Sequence, residues 1–292
     1  LKLIFRRDIK FFWKIYFLFL LLAKTRLVKF IKNVVPFDIN QFLEVINIRI
    51  VKGLNFIYKA CKVEKNDLED AIRGIRGLDI RGCGVSMPHK TTVMQYLDDI
   101  DEHAQKIGAV NTIVNENGKL IGYNTDYDGV KKALQESSLE GLENKTVFVI
   151  GAGGIARAII LALKDLKAKI YVTDKTKSKA EELAREFDIS FYKGNLEDIS
   201  GDLVVNATPV GMKPYIESTI IGEKTLVNFK ALLDVVISPP ETKLMKIAKK
   251  KKLIIIPGYR MALYQATKQF ELYTRKEAPL KVMEKSMKKL LE

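Results

Sequence analysis

A glycine-rich segment, Gly151-Ala152-Gly153-Gly154-Ile155-Ala156, constrains the fold of this chain more than any other feature. It follows an apolar run that predicts a strand over 145–150, and it precedes a run that predicts a helix over 156–166. Glycines let the backbone turn tightly and approach a pyrophosphate, to which the helix N-terminus offers free N–H groups. The segment therefore predicts a nucleotide-binding strand–helix turn made by these six residues.

Short apolar strands and helices alternate on both sides of this turn, which is the pattern of an α/β protein with a parallel sheet. A length of 292 residues is enough for two domains. We predict an N-terminal α/β substrate domain over 51–125 plus 259–292, a Rossmann-type NAD(P)-binding domain over 126–258, and a separate basic and apolar leader over 1–50. Individual elements include a strand at Cys83–Met87, a helix at His89–Leu97, a hairpin over 109–123, and a strand at either Thr225–Phe229 or Leu233–Val236.

The end of the strand after the glycine turn bears on the choice of cofactor. Asp174 lies where an acid would accept a hydrogen bond from a ribose 2′-hydroxyl and repel a 2′-phosphate. Lys175, Lys177 and Lys179 follow it and could hold that phosphate. These signals conflict, so the residues leave NADP and NAD both open. The same charges could also face only water.

Three polar segments precede the glycine turn: Gly84–Lys90, Asn111-Thr112 and Asn124-Thr125-Asp126. A lysine paired with a carboxylate can move a proton to or from a hydroxyl, and Lys90 and Asp126 are the candidates. Beside a nicotinamide cofactor, this pair predicts the oxidation of a polar alcohol.

The formal net charge of +14 raises the question of a nucleic-acid partner. Residues 1–35 carry nine basic residues and one acid, whereas the rest of the chain is nearly balanced apart from Lys249–Lys252. We find no basic stripe with interleaved aromatic residues, so we predict no nucleic-acid partner. Two cysteines and two histidines without metal-ligand spacing predict reduced thiols and no metal site.

Residues 11–23 form an apolar stretch with one lysine. A membrane-spanning helix needs roughly 20 apolar residues, and Ala23-Lys24-Thr25-Arg26 is a poor signal-peptide cleavage site. Three interpretations stay open: membrane contact, a packed helix, and a leader foreign to the fold or mistranslated. Export would suit a nicotinamide enzyme badly, so we expect a cytoplasmic protein.

From about Gly53 to its C-terminus the chain resembles the shikimate dehydrogenase family. Two of its segments, 54–60 and 269–274, resemble the shikimate dehydrogenase-like branch of that family. The resemblance implies a two-domain fold and the NADP-linked interconversion of 3-dehydroshikimate and shikimate, or of a quinate-like hydroxy acid. It also implies a role in the chorismate pathway of aromatic amino acid biosynthesis, as a monomer or homodimer. The matching segments are Gly84–Lys90, Ile107–Thr112, Gly122–Asp126, Gly151–Ala156, Asn206–Met212, Asp234–Pro239, and Gly258 through Gln265 to Thr274.

The resemblance also assigns roles to single residues. It implies that Lys90 and Asp126 are catalytic. The residues that it implies for substrate binding are Ser86, which stands where a threonine is usual, Asn111 and Gln265. Those that it places beside the nicotinamide are Thr208, Gly211 and Met212.

The chain departs from the family in two places. Members usually begin with a strand and a serine-containing segment that binds the substrate carboxylate, whereas residues 1–50 contain no serine. The usual tyrosine after Asp234-Val235-Val236 is Ile237 here. We therefore expect one wall of the acid pocket to be missing or replaced. The alternative function is a nucleotide-binding relative that is catalytically weak or defective.

Overall fold

The computed structural model describes residues 2–6, 56–139 and 141–291, and within these ranges twelve strands form two six-stranded sheets. The strands are β1 (Lys2–Arg6), β2 (Phe56–Ala60), β3 (Ile80–Gly84), β4 (Asp99–Ile100), β5 (Thr112–Glu116), β6 (Lys119–Tyr123), β7 (Thr146–Ile150), β8 (Lys169–Thr173), β9 (Ser190–Phe191), β10 (Leu203–Asn206), β11 (Ala231–Asp234) and β12 (Ile254–Pro257). The α-helices are α1 (Leu68–Gly77), α2 (Glu102–Ile107), α3 (Thr125–Gln135), α4 (Gly154–Asp165), α5 (Lys177–Phe187), α6 (Glu223–Leu226), α7 (Lys243–Lys250), α8 (Gly258–Thr274) and α9 (Leu280–Leu291).

The second sheet has the order β12-β11-β10-β7-β8-β9, and each of its neighbouring pairs is parallel. Its inner strands β10 and β11 are buried along their whole length, because helices cover both faces of a parallel sheet. The helix α4 connects β7 to β8 and buries Ala156, Ile159, Ile160 and Leu163 against this sheet. The predicted α/β fold with a parallel sheet is confirmed.

The first sheet has the order β2-β1-β3-β5-β6-β4 and is mixed. The strand β1 is antiparallel to β2 and β3, β5 is antiparallel to β3 and β6, and β4 is parallel to β6. The predicted hairpin is the β5–β6 pair. Its turn residues Asn117 and Gly118 both have positive φ angles, 54° and 92°, as a two-residue hairpin turn requires.

Part of the predicted leader belongs to this sheet. Residues 2–6 form β1, which lies between β2 and β3. Residues 7–55, including the apolar stretch 11–23, lie outside the described residues. Among the helices that the structure does describe, none is both long enough and apolar enough to cross a bilayer.

Three predicted elements differ in the structure. The strand predicted at Cys83–Met87 is β3 at Ile80–Gly84, because the chain then enters a turn in which the Ser86 carbonyl accepts a hydrogen bond from the His89 N–H. The helix predicted at His89–Leu97 is a short 3-10 helix over Thr92–Tyr96.

The alternative strand at Thr225–Phe229 is wrong. This segment includes part of α6, and Leu226 and Phe229, three residues apart, are both buried against one cluster, as on one face of a helical turn. The strand is β11, which overlaps the other alternative, Leu233–Val236, and begins two residues earlier.

The longest of the described helices, α8, runs from β12 back to the first sheet. The Arg81 guanidinium of β3 donates hydrogen bonds to the Tyr273 carbonyl at 2.9 Å and the Asn115 carbonyl at 2.6 Å. These bonds tie the end of α8 to β3 and β5. The division of the chain into domains at 125 and 258 stays a prediction.

Two glycines of the first sheet region provide a matched test of this packing. A Cβ at Gly82 would lie 2.4 Å from the Ile113 carbonyl oxygen and 2.7 Å from the Tyr273 ring, whereas nothing lies within 4 Å of a Cβ at Gly74 in α1. We expect Gly82→Ala to lower the free energy of unfolding by about 2 kcal/mol through overpacking. Gly74→Ala should raise it by about 0.5–1 kcal/mol through helix propensity. Urea unfolding followed by circular dichroism measures both, and equal effects would contradict the described contact.

Candidate active site

Lys90 and Asp126, which the sequence places 36 residues apart, form an ion pair. The Lys90 Nζ donates to the Asp126 Oδ2 at 2.6 Å, and the two side chains are 23% and 12% exposed. Lys90 lies in the turn after β3, where its carbonyl accepts a hydrogen bond from the Val110 N–H. The pair is therefore mostly buried, and part of each side chain is still exposed to solvent.

Asp126 is presented by the N-terminus of α3. Asn124 caps this helix, because its side-chain oxygen accepts a hydrogen bond from the Asp126 N–H, and its Nδ2 donates to the Ala109 carbonyl at 2.9 Å. A carboxylate in the first turn of a helix is stabilised by the free N–H groups there. The cap thus fixes the position of Asp126.

The Asn111 side chain lies at the centre of a buried hydrogen-bond network. Its Oδ1 accepts from the Thr125 N–H at 2.8 Å and from the Thr112 hydroxyl at 2.7 Å, and the Thr125 hydroxyl lies 3.1 Å away. The backbone N–H can only donate, so the orientation of the Asn111 amide is fixed. Its Nδ2 is left as the group that can donate to a bound molecule.

Gln265 joins this network from α8. Its Nε2 donates to the Thr125 hydroxyl at 3.0 Å. The approach depends on Gly129 of α3, because a Cβ there would lie 2.5 Å from the Met261 carbonyl oxygen and 3.1 Å from the Gln265 Cβ. The absence of a side chain at Gly129 lets α3 and α8 pack closely and brings Gln265 to Thr125.

Ser86 lies outside this network. Its side chain is exposed and lines a depression whose other residues include Cys61–Asn66 and His89. His89 is buried, and its Nε2 lies 2.9 Å from the Val63 carbonyl oxygen. The structure therefore brings together four of the five residues that the sequence predicted for catalysis or substrate binding, and it places Ser86 on a neighbouring surface.

The predicted glycine turn connects β7 to α4. Gly151 has a φ of +123°, and a Cβ there would lie 2.7 Å from the Ala207 carbonyl oxygen. Nothing lies within 4 Å of a Cβ at Gly153 or Gly154, so the outer face of the turn is open. An open glycine face at the N-terminus of a twelve-residue helix fits the pyrophosphate of a dinucleotide.

Asp174 braces this turn. Its Oδ2 accepts from the Ala152 N–H at 2.9 Å, and its Oδ1 accepts from the Thr176 N–H at 2.7 Å. Each carboxylate oxygen is thus bound to a backbone donor of the protein. Lys175 is exposed beside it, whereas the Lys177 Nζ donates to the Thr173 hydroxyl at 3.0 Å.

The segment 206–212 is held by a carboxylate that the sequence analysis did not select. Asp234 is fully buried at the end of β11, and it accepts hydrogen bonds from the Asn206 Nδ2 at 2.9 Å, the Val236 N–H at 3.1 Å and the Thr242 hydroxyl at 2.7 Å. Burial raises the pKa of the Asp234 carboxyl, and these three donors act in the opposite direction.

Asn206 connects Asp234 to Thr208 through hydrogen bonds of its side chain. The Asn206 Oδ1 accepts from the N–H and the hydroxyl of Thr208, and its Nδ2 also donates to the Val210 carbonyl at 3.1 Å. Gly211 follows with a φ of +90°, and Met212 is exposed. The segment that contains the predicted nicotinamide contacts therefore rests on Asp234.

Sequence reasoning missed Asp234 as well as the two hydroxyls of Thr112 and Thr125. Both threonines belong to polar segments that the sequence singled out, which was the available signal. Asp234 ends the observed strand β11 and lies in the middle of the strand predicted at Leu233–Val236. Beside it β10 ends at Asn206, and the carboxyl ends of neighbouring parallel strands meet at one edge of a sheet.

Two family models match this chain. Residues 47–113 match the shikimate dehydrogenase substrate-binding domain, and residues 133–218 match shikimate/quinate 5-dehydrogenase. The first match begins within the predicted leader and ends after Asn111. The second contains the glycine turn, Asp174 and the segment 206–212.

Similar proteins carry the same description. A Bacillus cereus protein named shikimate dehydrogenase (NADP(+)) is 42% identical over 225 residues, which are 74% of this chain and 81% of that protein. A Dehalococcoides mccartyi protein of the same name is 36% identical over 82% of this chain and 87% of its own length.

Solved structures share the fold. A shikimate dehydrogenase in complex with NADP+ matches with a TM-score of 0.80 and 35% identity, over 86% of this chain and 91% of that one. A Thermus thermophilus shikimate 5-dehydrogenase in complex with NADP(H) and shikimate matches with a TM-score of 0.78 and 28% identity, over 86% of this chain and 94% of that one.

The role of Asp234 can be tested by two substitutions. Asp234→Ala should lower the free energy of unfolding by about 3 kcal/mol, because three buried donors lose their acceptor. Asp234→Asn should cost less, since an amide oxygen can still accept from Asn206 and Val236. Urea unfolding measures both values. Equal losses for the two variants, or no loss for Asp234→Ala, would contradict the anchoring role.

Proposed function

This chain belongs to the shikimate dehydrogenase family, and we propose that it interconverts 3-dehydroshikimate and shikimate with NADP as cofactor. The observation that carries the proposal is the Lys90–Asp126 ion pair beside the amide network of Asn111 and Gln265. The ion pair can move a proton, and the amide network can form hydrogen bonds with the hydroxyl groups of a polar ring.

In the direction of reduction, the Lys90 ammonium donates its proton to the carbonyl oxygen of the substrate. A bound reduced nicotinamide would supply the hydride to the carbonyl carbon, so that the π bond of C=O would be replaced by one C–H and one O–H bond and the C–O single bond would remain. Asp126 holds the ammonium at this oxygen through its 2.6 Å hydrogen bond. In the direction of oxidation, Lys90 takes the proton from the hydroxyl.

The substrate hydroxyls find both kinds of partner in the network. The Asn111 Nδ2 can donate, and the Gln265 Oε1 can accept, because the other atom of each amide is used by the protein. A site of this kind rejects analogues that leave its polar groups unpaired. Ser86, on the neighbouring surface, is a further candidate for binding the substrate.

The acid pocket is where this chain departs from its family. Ile237, in the place of the usual tyrosine, is 37% exposed and offers no donor. A nucleotide-binding relative without turnover is the less supported alternative, because the ion pair and the network are fully assembled.

NADP is the cofactor that the geometry around Asp174 supports best. Because each oxygen of this carboxylate is bound to a backbone N–H, Asp174 acts as a brace of the turn and not as a ligand of the ribose. Lys175 is then the charged group that can meet a 2′-phosphate. The N–H groups of Gly153–Ala156 would hold the pyrophosphate, and Thr208, Gly211 and Met212 would line the nicotinamide.

The wider context follows from this activity. We infer a cytoplasmic enzyme of the chorismate pathway, a monomer or homodimer, whose partners are small molecules and not nucleic acid. Cys83 is a buried thiol outside any disulfide, as suits a reducing compartment. We also propose that the predicted boundaries at 125 and 258 separate the substrate unit from the cofactor unit, and that β1 belongs to the substrate unit.

The catalytic pair can be tested with purified protein, shikimate and NADP+, by following the absorbance of the reduced cofactor. We expect Lys90→Met to lower kcat by about a thousandfold, within the range of general acid–base catalysis. Binding of NADPH, measured by its fluorescence, should not change.

Lys106→Met is the matched control, because Lys106 forms an exposed ion pair with Glu102 at the same distance of 2.6 Å. It should leave kcat unchanged. If neither shikimate nor quinate is turned over by the unmodified protein, or if Lys90→Met behaves like the control, the proposed activity is wrong.

The cofactor preference gives a second test. Lys175→Ala should raise the KM for NADP+ by about tenfold and leave the KM for NAD+ within about twofold, because only NADP+ carries the 2′-phosphate that Lys175 would pair with. Lys167→Ala, at the other end of β8 where Lys167 pairs with Glu143, should change neither value. Equal effects of Lys175→Ala on both cofactors would contradict this role.

A further inference from the structure

Gln269 lies one helical turn after Gln265 on α8 and joins the same network at a different residue, Thr112. Its Nε2 donates to the Thr112 hydroxyl at 2.8 Å and lies 3.4 Å from the Asn111 carbonyl oxygen. Gly84 of β3 adjoins it, since a Cβ there would lie 3.4 Å from the same Nε2. Neither the family resemblance nor the catalytic pair assigns a role to this side chain.

The direction of each hydrogen bond follows from the donors available. The Asn111 Oδ1 can only accept, so the Thr112 hydroxyl, 2.7 Å away, donates its hydrogen bond to this oxygen. The oxygen of Thr112 can then only accept, and the group that Gln269 turns toward it is the amide N–H. The bonds run in one direction, from Gln269 to Thr112 to Asn111.

We propose that Gln269 is a positioning residue for substrate recognition and that it acts on Asn111 through Thr112. By keeping the Thr112 proton on the Asn111 Oδ1, Gln269 adds a second firm donor to the Thr125 N–H that holds this oxygen inside the protein. The Asn111 Nδ2 then faces the substrate as a fixed donor for a hydroxyl oxygen of the ring. This inference rests on the proposed function for the identity of the substrate.

The two glutamines divide the task. Gln265 donates to Thr125, whose hydroxyl lies 3.1 Å from both the Asn111 Oδ1 and the Thr112 hydroxyl, and Gln269 donates to Thr112. Gln265 and Gln269 are four residues apart on α8 and therefore lie on one face of that helix. A well-satisfied buried network of this kind fixes one arrangement, whereas a network with one reversed donor does not.

Gln269→Glu is the sharpest test, because it keeps the shape of the side chain and replaces the donor with an acceptor. A carboxylate at this place would accept the hydrogen bond of the Thr112 hydroxyl and leave the Asn111 Oδ1 with the donors of Thr125 alone, so the amide would be held less firmly. We expect the KM for shikimate to rise by about tenfold and the KM for NADP+ to stay within about twofold. Gln105→Glu, an exposed change of the same charge on α2, is the control and should alter neither value.

A double-mutant cycle separates this role from a direct contact with substrate or a general loss of structure. If Gln269 acts through Asn111, Gln269→Glu should change kcat/KM by less than about twofold in a protein that already carries Asn111→Ala. If the loss is the same in both backgrounds, the positioning role is overturned.

An NMR spectrum of the side-chain amides, recorded without substrate, makes the test independent of turnover. The side-chain amide signal of Asn111, assigned by its absence in Asn111→Ala, should shift in Gln269→Glu and stay in place in Gln105→Glu. An unchanged signal overturns the inference, even if shikimate is turned over normally. Failure of shikimate turnover in the unmodified protein would overturn the proposed function instead, and the Asn111 signal would still decide whether Gln269 orients this amide.

Discussion

The hydrogen bonds at the N-terminus of α3 hold together parts of the site that are distant in the sequence. Asn124 caps the helix, Thr125 donates its N–H to Asn111, and Asp126 pairs with Lys90. These three residues connect the turn after β3, the start of β5 and the face of α8 that carries Gln265. A change in the direction of α3 would therefore separate the Lys90–Asp126 pair from the amides that we propose bind the substrate. The close packing at Gly129 fixes that direction.

A second constraint lies at the edge of the parallel sheet. The strands β7, β10 and β11 end side by side, and their ends carry the glycine turn, Asn206 and Asp234. Asp234 holds the segment 206–212 through Asn206, and Gly151 allows the turn to lie directly against Ala207. The proposed cofactor site thus consists of two loops that contact each other, one braced by Asp174 and the other by Asp234. In both cases a carboxylate satisfies backbone or amide donors that would otherwise be unpaired near the sheet edge.

The sequence was informative wherever a local pattern has one structural solution. The glycine turn, the hairpin at Asn117-Gly118 and the alternation of strands and helices are confirmed, because each depends on residues close together in the chain. The strand predicted at 83–87 and the helix predicted at 89–97 have other bounds in the structure, since apolar character alone does not reveal the turn that begins at Ser86. The role of Asp174 stayed open for a related reason. Its charge is evident from the sequence, whereas the two N–H groups that occupy it belong to residues 152 and 176.

By itself the sequence determined the α/β fold class, the place of the nucleotide turn and the resemblance that selects Lys90, Asp126, Asn111 and Gln265. These depend on residue type and order, which the chain carries openly. Only the tertiary structure decided which atoms of those residues are used by the protein and which are left for a ligand. It showed that the Asn111 oxygen is occupied, that Asp174 is committed to the turn, and that Gln269 and Asp234 support the site from behind. The physical reason is that a hydrogen bond has a direction and a short range, so its partners are known only when distant segments have been brought together.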